Sequence, residues 1–120
     1  MAVIVVAVAP PYGPVSVNTD MIYVVVPDIP GTGTKLLIDT AGGRSVAALE
    51  DIDAIAAMPG SASFVRFNQA SLKPGPVLVN RVGWVSVVPH PQVKGVTQVN
   101  FKNHYIAVKA SVDKVAAALS

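Results

Sequence analysis

Short runs of aliphatic residues, alternating or continuous, recur along this sequence and predict a mainly β protein. The valine-rich run at 2–9 predicts a first strand that is buried on both faces, by the fold or by a partner. A second extended run starts at Val15, is interrupted near 18–20 and resumes to Val26. Comparable runs predict further strands at 34–39, 45–48, 63–67, 77–88 (broken near Asn80), 97–101 and 105–110.

Two segments have the apolar spacing of helices instead. Residues 51–58 predict a short helix in which Asp51 is the N-cap, and residues 112–119 predict a closing helix capped by Ser111. Asp and Ser side chains accept hydrogen bonds from the free N–H groups of a first helical turn. Each predicted helix therefore begins at a residue suited to start it.

One hexapeptide pattern, Gly-Pro-Val-x-Val-Asn, occurs at residues 13–18 and again at 75–80. Such a recurrence predicts an internal duplication, with repeats at 1–60 and 61–120. We expect an α+β, mainly β, single domain of two tandem ββββα repeats with pseudo-two-fold symmetry and one shared core, because each half alone is too small to be stable. Asn18 and Asn80 are expected to form Asx turns that end their strands.

The two halves share a pattern of strand, turn and helix-start residues, at Val17-Asn18, 34–38, Val46 and 51–55, and again at Val79-Asn80, 97–101, 106–108 and 111–115. This half-repeat pattern resembles the small FlbD/SwrD-like proteins of flagellar operons and their phage relatives. The resemblance covers nearly the whole chain and implies a small ββββα unit present twice. The tandem topology is also similar to that of Whirly-type single-stranded DNA binders, which implies nucleic-acid binding.

The composition points to self-association. Charged residues make up 13% of the chain, apolar residues 52%, and the mean hydropathy is +0.53. A strand as apolar as the first one would aggregate at an exposed edge, so Val3, Val5, Val6 and Val8 are expected to contact a neighbouring strand or a second copy. The run is much shorter than the roughly 20 residues of a membrane span and has no basic flank, which predicts neither a membrane protein nor a signal peptide.

Charge divides unevenly between the halves. Residues 1–60 have a net charge of −4 and residues 61–120 a net charge of +6, and five of the seven aromatic residues lie in the basic half. The basic half meets either nucleic acid or the acidic half of another copy. Nucleic-acid contacts are predicted for Arg66, Arg81, Trp84, Lys102 and Lys109.

The sequence has no pattern of a catalytic, metal or cofactor site. It contains no cysteine, and His90 and His104 both lie in predicted turns without a cluster of carboxylates. We therefore expect no enzyme activity, no cofactor and no small-molecule substrate. The expected function is a non-catalytic, self-associating structural protein, such as a phage cement or decoration protein bound to a capsid, located in the virion or the cytoplasm. The alternative is single-stranded nucleic-acid binding with Whirly-like topology.

Overall fold

The computed structural model describes residues 2–10, 12–28, 31–70 and 75–120. These residues form ten strands in three sheets together with two α-helices, which confirms the α+β, mainly β class. The strands are β1 (Val3–Val6), β2 (Val15–Asn18), β3 (Ile22–Pro27), β4 (Thr34–Ile38), β5 (Arg44–Ala48), β6 (Phe64–Asn68), β7 (Pro76–Asn80), β8 (Ser86–Pro89), β9 (Thr97–Asn100) and β10 (Tyr105–Val108). The helices are α1 (Ile52–Ala56) and α2 (Val112–Leu119).

A five-stranded antiparallel sheet lies at the centre of the fold, in the order β5-β4-β3-β7-β6. The hairpin β1-β2 and the sheet β10-β9-β8 are separate from it. The β3-β7 pair joins the two halves of the chain, with Val24 opposite Val79 and Val25 opposite Leu78. The centre of the fold is therefore a contact between strands that lie far apart in sequence.

Backbone hydrogen bonds attach each outer sheet to an edge of the central one. The Leu49 N–H donates to the Ala7 carbonyl at 2.8 Å, just beyond the ends of β5 and β1. The Lys109 N–H donates to the Asn68 carbonyl at 2.8 Å, where β10 meets β6. The strands of the first half thus follow the order β2-β1-β5-β4-β3, and those of the second half follow β7-β6-β10-β9-β8.

Buried apolar side chains form two clusters, on opposite faces of the central sheet. Val25 and Leu78 belong to the first cluster, which the β1-β2 hairpin and α1 cover. Val24 and Val79 belong to the second, which α2 and the strands β9 and β10 cover. Neighbouring residues of a strand point to opposite faces, so one sheet supplies both clusters. The prediction of one shared core was wrong, although both clusters combine residues from the two halves.

The interruptions in the two long extended runs separate strands more completely than the sequence predicted. A 3₁₀ turn at Thr19–Met21 divides β2 from β3, and residues 81–85 divide β7 from β8. The strands on either side of each break pair in different sheets. Five strands therefore precede each helix, and the predicted ββββα count was wrong.

The first strand is shorter and less buried than predicted. It covers Val3–Val6, with Ile4 and Val6 in the core and Val3 and Val5 exposed. A hairpin lying on a sheet buries only its inner face, so an entirely apolar strand still has an outer row of side chains. The structure thus assigns the four predicted contact valines to different environments.

The local predictions at the helix and turn positions were confirmed. Asp51 Oδ1 accepts from the Ala54 N–H at 2.8 Å, and Ser111 Oγ accepts from the Lys114 N–H at 3.3 Å. The equivalent amides end β2 and β7 as expected of Asx turns, since Asn18 Oδ1 accepts from Asp20 N–H, 3.0 Å, and Asn80 Oδ1 from Val82 N–H, 2.9 Å. These interactions span two or three residues, which is why the sequence predicts them.

Candidate functional site

The outer face of the β1-β2 hairpin carries an exposed apolar row. Val3 and Val5 are 47% and 54% exposed. In the strand register, Val3 lies opposite Asn18 and Val5 lies opposite Ser16. Residues opposite each other in an antiparallel pair share a face. We name these four residues the hairpin face.

The outer edge of β1 is already occupied within the chain. Both Glu50 carboxylate oxygens accept from the Ala7 N–H at 3.0 Å, and the Ala7 carbonyl accepts from Leu49. At the other end, Gly60 approaches the Val3 carbonyl so closely that a Cβ at this position would collide with it. A second chain cannot add a strand at this edge without displacing these groups. The hairpin face, not the strand edge, is the accessible surface of β1.

Val6 and Val8 lie away from the hairpin face. Val6 is buried in the first cluster, so its side chain is not available to another chain. Val8 is half-buried and lines an apolar cleft of about 600 Å³ together with the exposed Tyr12 and Leu49. Of the four valines predicted to mediate self-association, Val3 and Val5 are the exposed pair.

Two strand edges have no pairing partner among the described residues: the outer edges of β2 and β8. The strand β2 pairs with β1 on one side, and β8 pairs with β9. Exposed valines flank the second edge, with Val85 at 66% and Val88 at 37%. An unpaired edge next to apolar side chains favours the addition of another strand.

The predicted nucleic-acid residues are distributed over several elements. Arg66 on β6 forms an ion pair with Asp53 of α1, and Arg81 is exposed just after β7. Lys102 is exposed in the β9-β10 turn, and Lys109 is exposed after β10. The sequence did not indicate the Arg66–Asp53 pair, because the two residues belong to different predicted repeats.

The largest aromatic side chain of the basic half is used in packing. Trp84 packs against the second cluster, and its Nε1 donates to the Leu119 carbonyl at 3.3 Å. Phe67 and Phe101 belong to or pack against the same cluster. Rings in these positions are not free to stack on bases.

A polar cluster that the sequence did not indicate joins the turns β4-β5 and β9-β10. The Asp39 carboxylate accepts from the backbone N–H groups of Lys102, at 3.2 Å, and Asn103, at 3.0 Å. His104 Nε2 donates to the Thr40 carbonyl at 2.8 Å. These contacts link residues more than 60 positions apart, and no spacing in the sequence marks them.

Tyr23 lies beside this cluster. Its ring stacks on His104 with 5.0 Å between centroids and meets Phe101 at a tilt. Burial, together with the nearby negative charge of Asp39, raises the pKa of the Tyr23 hydroxyl above its ordinary value of 10.0. The cluster thus holds the two halves together through both aromatic and polar contacts.

Both histidines have structural contacts. His90 Nδ1 accepts from the backbone N–H groups of Gln92 and Val93, at 3.1 and 3.2 Å, and shapes the β8-β9 loop. Over the described ranges, no three potential ligands among His, Cys, Asp and Glu come together as a metal site. Neither of the two helices in the described part of the chain has the length and apolar character to cross a membrane.

Comparison with known proteins returned no matching family model, no matching curated protein and no matching solved structure.

Proposed function

We propose that this protein is a non-catalytic structural protein that self-associates through the hairpin face. The observation that carries this proposal is the outward position of Val3 and Val5, two aliphatic side chains about half exposed on a chain with few charges. Burying such side chains against a second copy removes apolar area from water, which stabilises association by about 25 cal/mol per Å² before the costs of association are subtracted.

The internal duplication remains part of the proposal. Each half has five strands followed by one helix, and each half has the Gly-Pro-Val-x-Val-Asn pattern on its second strand. Under two-fold symmetry, each contact between the repeats would occur a second time with the two repeats exchanged, so that a β3-β7 pair would require a β8-β2 pair. The pair β3-β7 has no β2-β8 counterpart among the described residues. This supports a head-to-tail relation of the repeats in place of the pseudo-two-fold symmetry first expected.

Within this class, the role we propose is that of a phage particle component of the cement or decoration type. Proteins of this type are small and stabilise a capsid by packing against its surface. The low charge and the exposed strands of this chain are compatible with this role. Its location would then be the virion, or the cytoplasm before assembly.

Single-stranded nucleic-acid binding has weaker support than self-association. Its predicted stacking residue, Trp84, is packed against the second cluster, and Arg66 is paired with Asp53. The exposed residues Arg81, Lys102 and Lys109 supply positive charge without an accompanying free ring among the predicted contacts.

Sedimentation velocity of the full chain across a wide concentration range tests self-association. We expect a mass that increases with concentration. Val5→Lys should reduce this mass, because a desolvated ammonium group opposes association, whereas Val93→Lys is the matched control on the exposed β8-β9 loop. A wild-type chain that stays monomeric at every concentration overturns the proposal.

A second arm of the experiment adds a single-stranded oligonucleotide at low salt. Self-association without oligonucleotide binding supports the structural role. A monomer that binds the oligonucleotide, with affinity that falls steeply as salt is added, instead supports the nucleic-acid alternative.

A further inference from the structure

We propose that copies of this chain associate head to tail, with β8 of one copy pairing with β2 of the next in the register of the internal β3-β7 pair. This inference rests on the proposed self-association and assigns it a geometry. The template is the pair in which Val25 lies opposite Leu78 and Val24 opposite Val79.

The two free strands correspond in sequence to the two paired ones. The strand β2 shares its Gly-Pro-Val-x-Val-Asn pattern with β7, which aligns Ser16 with Leu78. The tripeptide Val-Val-Pro at the end of β3 recurs at the end of β8, which aligns Val25 with Val87. The same register therefore places Ser16 of one copy opposite Val87 of another.

The backbone groups of both free edges point in the direction that pairing requires. Thr19 N–H donates to the Ala2 carbonyl. In an antiparallel ladder every second residue bonds to the same neighbour, so the backbone N–H and C=O of Val17 also point to β1. Those of Ser16 point away from β1, towards the free edge. The bond from His90 N–H to the Val96 carbonyl continues the β8-β9 ladder. By the same alternation, the backbone N–H and C=O of Val87 point away from β9, towards the free edge of β8. Ser16 and Val87 are thus positioned to exchange a pair of hydrogen bonds.

Residues at the internal β3-β7 junction are more buried than the corresponding residues of β8 and β2, as expected if β8 and β2 pair only between copies. On β3, Tyr23 is 9% exposed because the second half covers it, whereas Val85, its counterpart before β8, is 66% exposed. On β7 the four residues from Val77 are all buried, whereas on β2 the counterpart Ser16 is exposed and Asn18 is half-buried. The exposed surfaces are those that a second copy would cover.

The asparagine that ends each second strand shows the same difference. Asn80 Nδ2 donates across the internal junction to the carbonyls of Thr19 and Ile22, at 2.9 and 2.8 Å. Asn18 Nδ2 has no hydrogen-bond partner within the described part of the chain, although its Oδ1 makes the same turn contact. In the proposed junction this amide reaches the carbonyls of Arg81 and Trp84 in a second copy.

The hairpin face then contacts the second helix of the neighbouring copy. In the internal junction Phe64 and Arg66 lie opposite Asn80 and Leu78 and face the first cluster and α1. On β1, Val3 and Val5 correspond to Phe64 and Arg66, because they lie opposite the equivalent residues of β2. They would accordingly face the second cluster and α2 of the other copy.

Charge favours this pairing over like-to-like contacts. The first half has a net charge of −4 and the second a net charge of +6, and the proposed junction brings opposite halves together. A head-to-tail junction leaves one free edge at each end of a dimer. Further copies can add at these free edges, so the assembly either closes into a ring or grows as a filament.

Cysteine cross-linking tests the register directly, because the natural chain has no cysteine. Ser16→Cys and Val87→Cys are made as separate variants and mixed under oxidising conditions. Hydrogen-bonded residues of an antiparallel pair lie about 5.5 Å apart between Cα atoms, within disulfide range. We expect a disulfide-linked heterodimer, which a mixture of Ser16→Cys and Val93→Cys does not form.

Two substitutions at Ser16 measure the strength of the junction. Ser16→Leu places the side chain of Leu78 in the equivalent position and is expected to lower the dissociation constant about tenfold, equivalent to about 1.4 kcal/mol. Ser16→Pro removes the outward N–H and should reduce association while the circular dichroism spectrum of the chain is retained.

The outcomes separate this inference from the proposed function. A wild-type chain that remains monomeric overturns both. A wild-type chain that self-associates, without cross-linking between positions 16 and 87 and without a response to Ser16→Leu, overturns the head-to-tail register alone. A disulfide that forms within one chain of the Ser16→Cys, Val87→Cys double variant also contradicts it, because the two strands would then pair internally.

Discussion

The side-chain amide of Asn80 donates to the carbonyl oxygen of Thr19 at 2.9 Å, across the junction of the two halves of the chain. The same amide nitrogen donates to Ile22, and the side-chain oxygen accepts from Val82. Asn80 is fully buried, so these three bonds replace water that the group has lost. One side chain thus ends β7 and fixes its position against the start of β3.

We expect Asn80→Ala to destabilise the chain by about 2 kcal/mol, because it leaves two buried carbonyl groups without this donor. Asn18→Ala is the control, since it loses a single turn bond and should cost about 1 kcal/mol or less. Urea unfolding at low protein concentration measures both. Equal losses in the two variants would contradict a special role for the junction.

Gly60 is expected to tolerate no side chain. A methyl group there collides with the Val3 carbonyl and Ile4, so Gly60→Ala should cost about 1–3 kcal/mol through displacement of β1. Gly42→Ala is the matched control, because its Cβ would meet open space. Thermal unfolding compares the two variants, and a Gly60→Ala melting temperature equal to that of the wild type would show that β1 does not lie against this turn.

Stability is expected to fall in alkaline solution through Tyr23. Its pKa is raised in the folded chain, so the neutral hydroxyl is favoured in the native state. The contribution is complete below the unfolded pKa of about 10 and is lost as the pH rises from there through the folded value. Tyr23→Phe should flatten this part of the stability profile, measured by urea unfolding at a series of pH values. A Tyr23→Phe profile identical to that of the wild type in alkaline solution would contradict this contribution.

Both helix caps are expected to contribute to stability. Asp51→Ala and Ser111→Ala each remove an acceptor for a first-turn N–H and should each cost about 1 kcal/mol. Asp51→Ser and Ser111→Asp retain an acceptor at these positions and should recover most of the loss. Melting temperatures measure all four variants, and the absence of any loss in both alanine variants would contradict these helix starts.

Local features of this chain could be predicted because their causes lie within a few residues. Ser111 begins α2 at the predicted residue, and Asn18 and Asn80 end their strands through bonds to residues two positions ahead. The valine-rich runs form strands because β-branched side chains suit extended backbone. The Gly-Pro-Val-x-Val-Asn pattern also marked, from the sequence alone, the two strands whose comparison supports the head-to-tail proposal.

Only the tertiary structure decided which strands pair and which side chains remain outside. The sequence predicts one interrupted run at 15–26, yet its two parts belong to different sheets, because β3 pairs with β4 and β7 while β2 pairs with β1. Val3 and Val6 are chemically identical, but the packing of the hairpin on the central sheet buries Val6 and leaves Val3 exposed. The bonds from the β9-β10 turn to the Asp39 carboxylate likewise join residues more than 60 positions apart, which only the folded chain brings together. Hydrophobic pattern determines that a strand forms, whereas hydrogen bonds to distant strands determine its neighbours and therefore its exposed face.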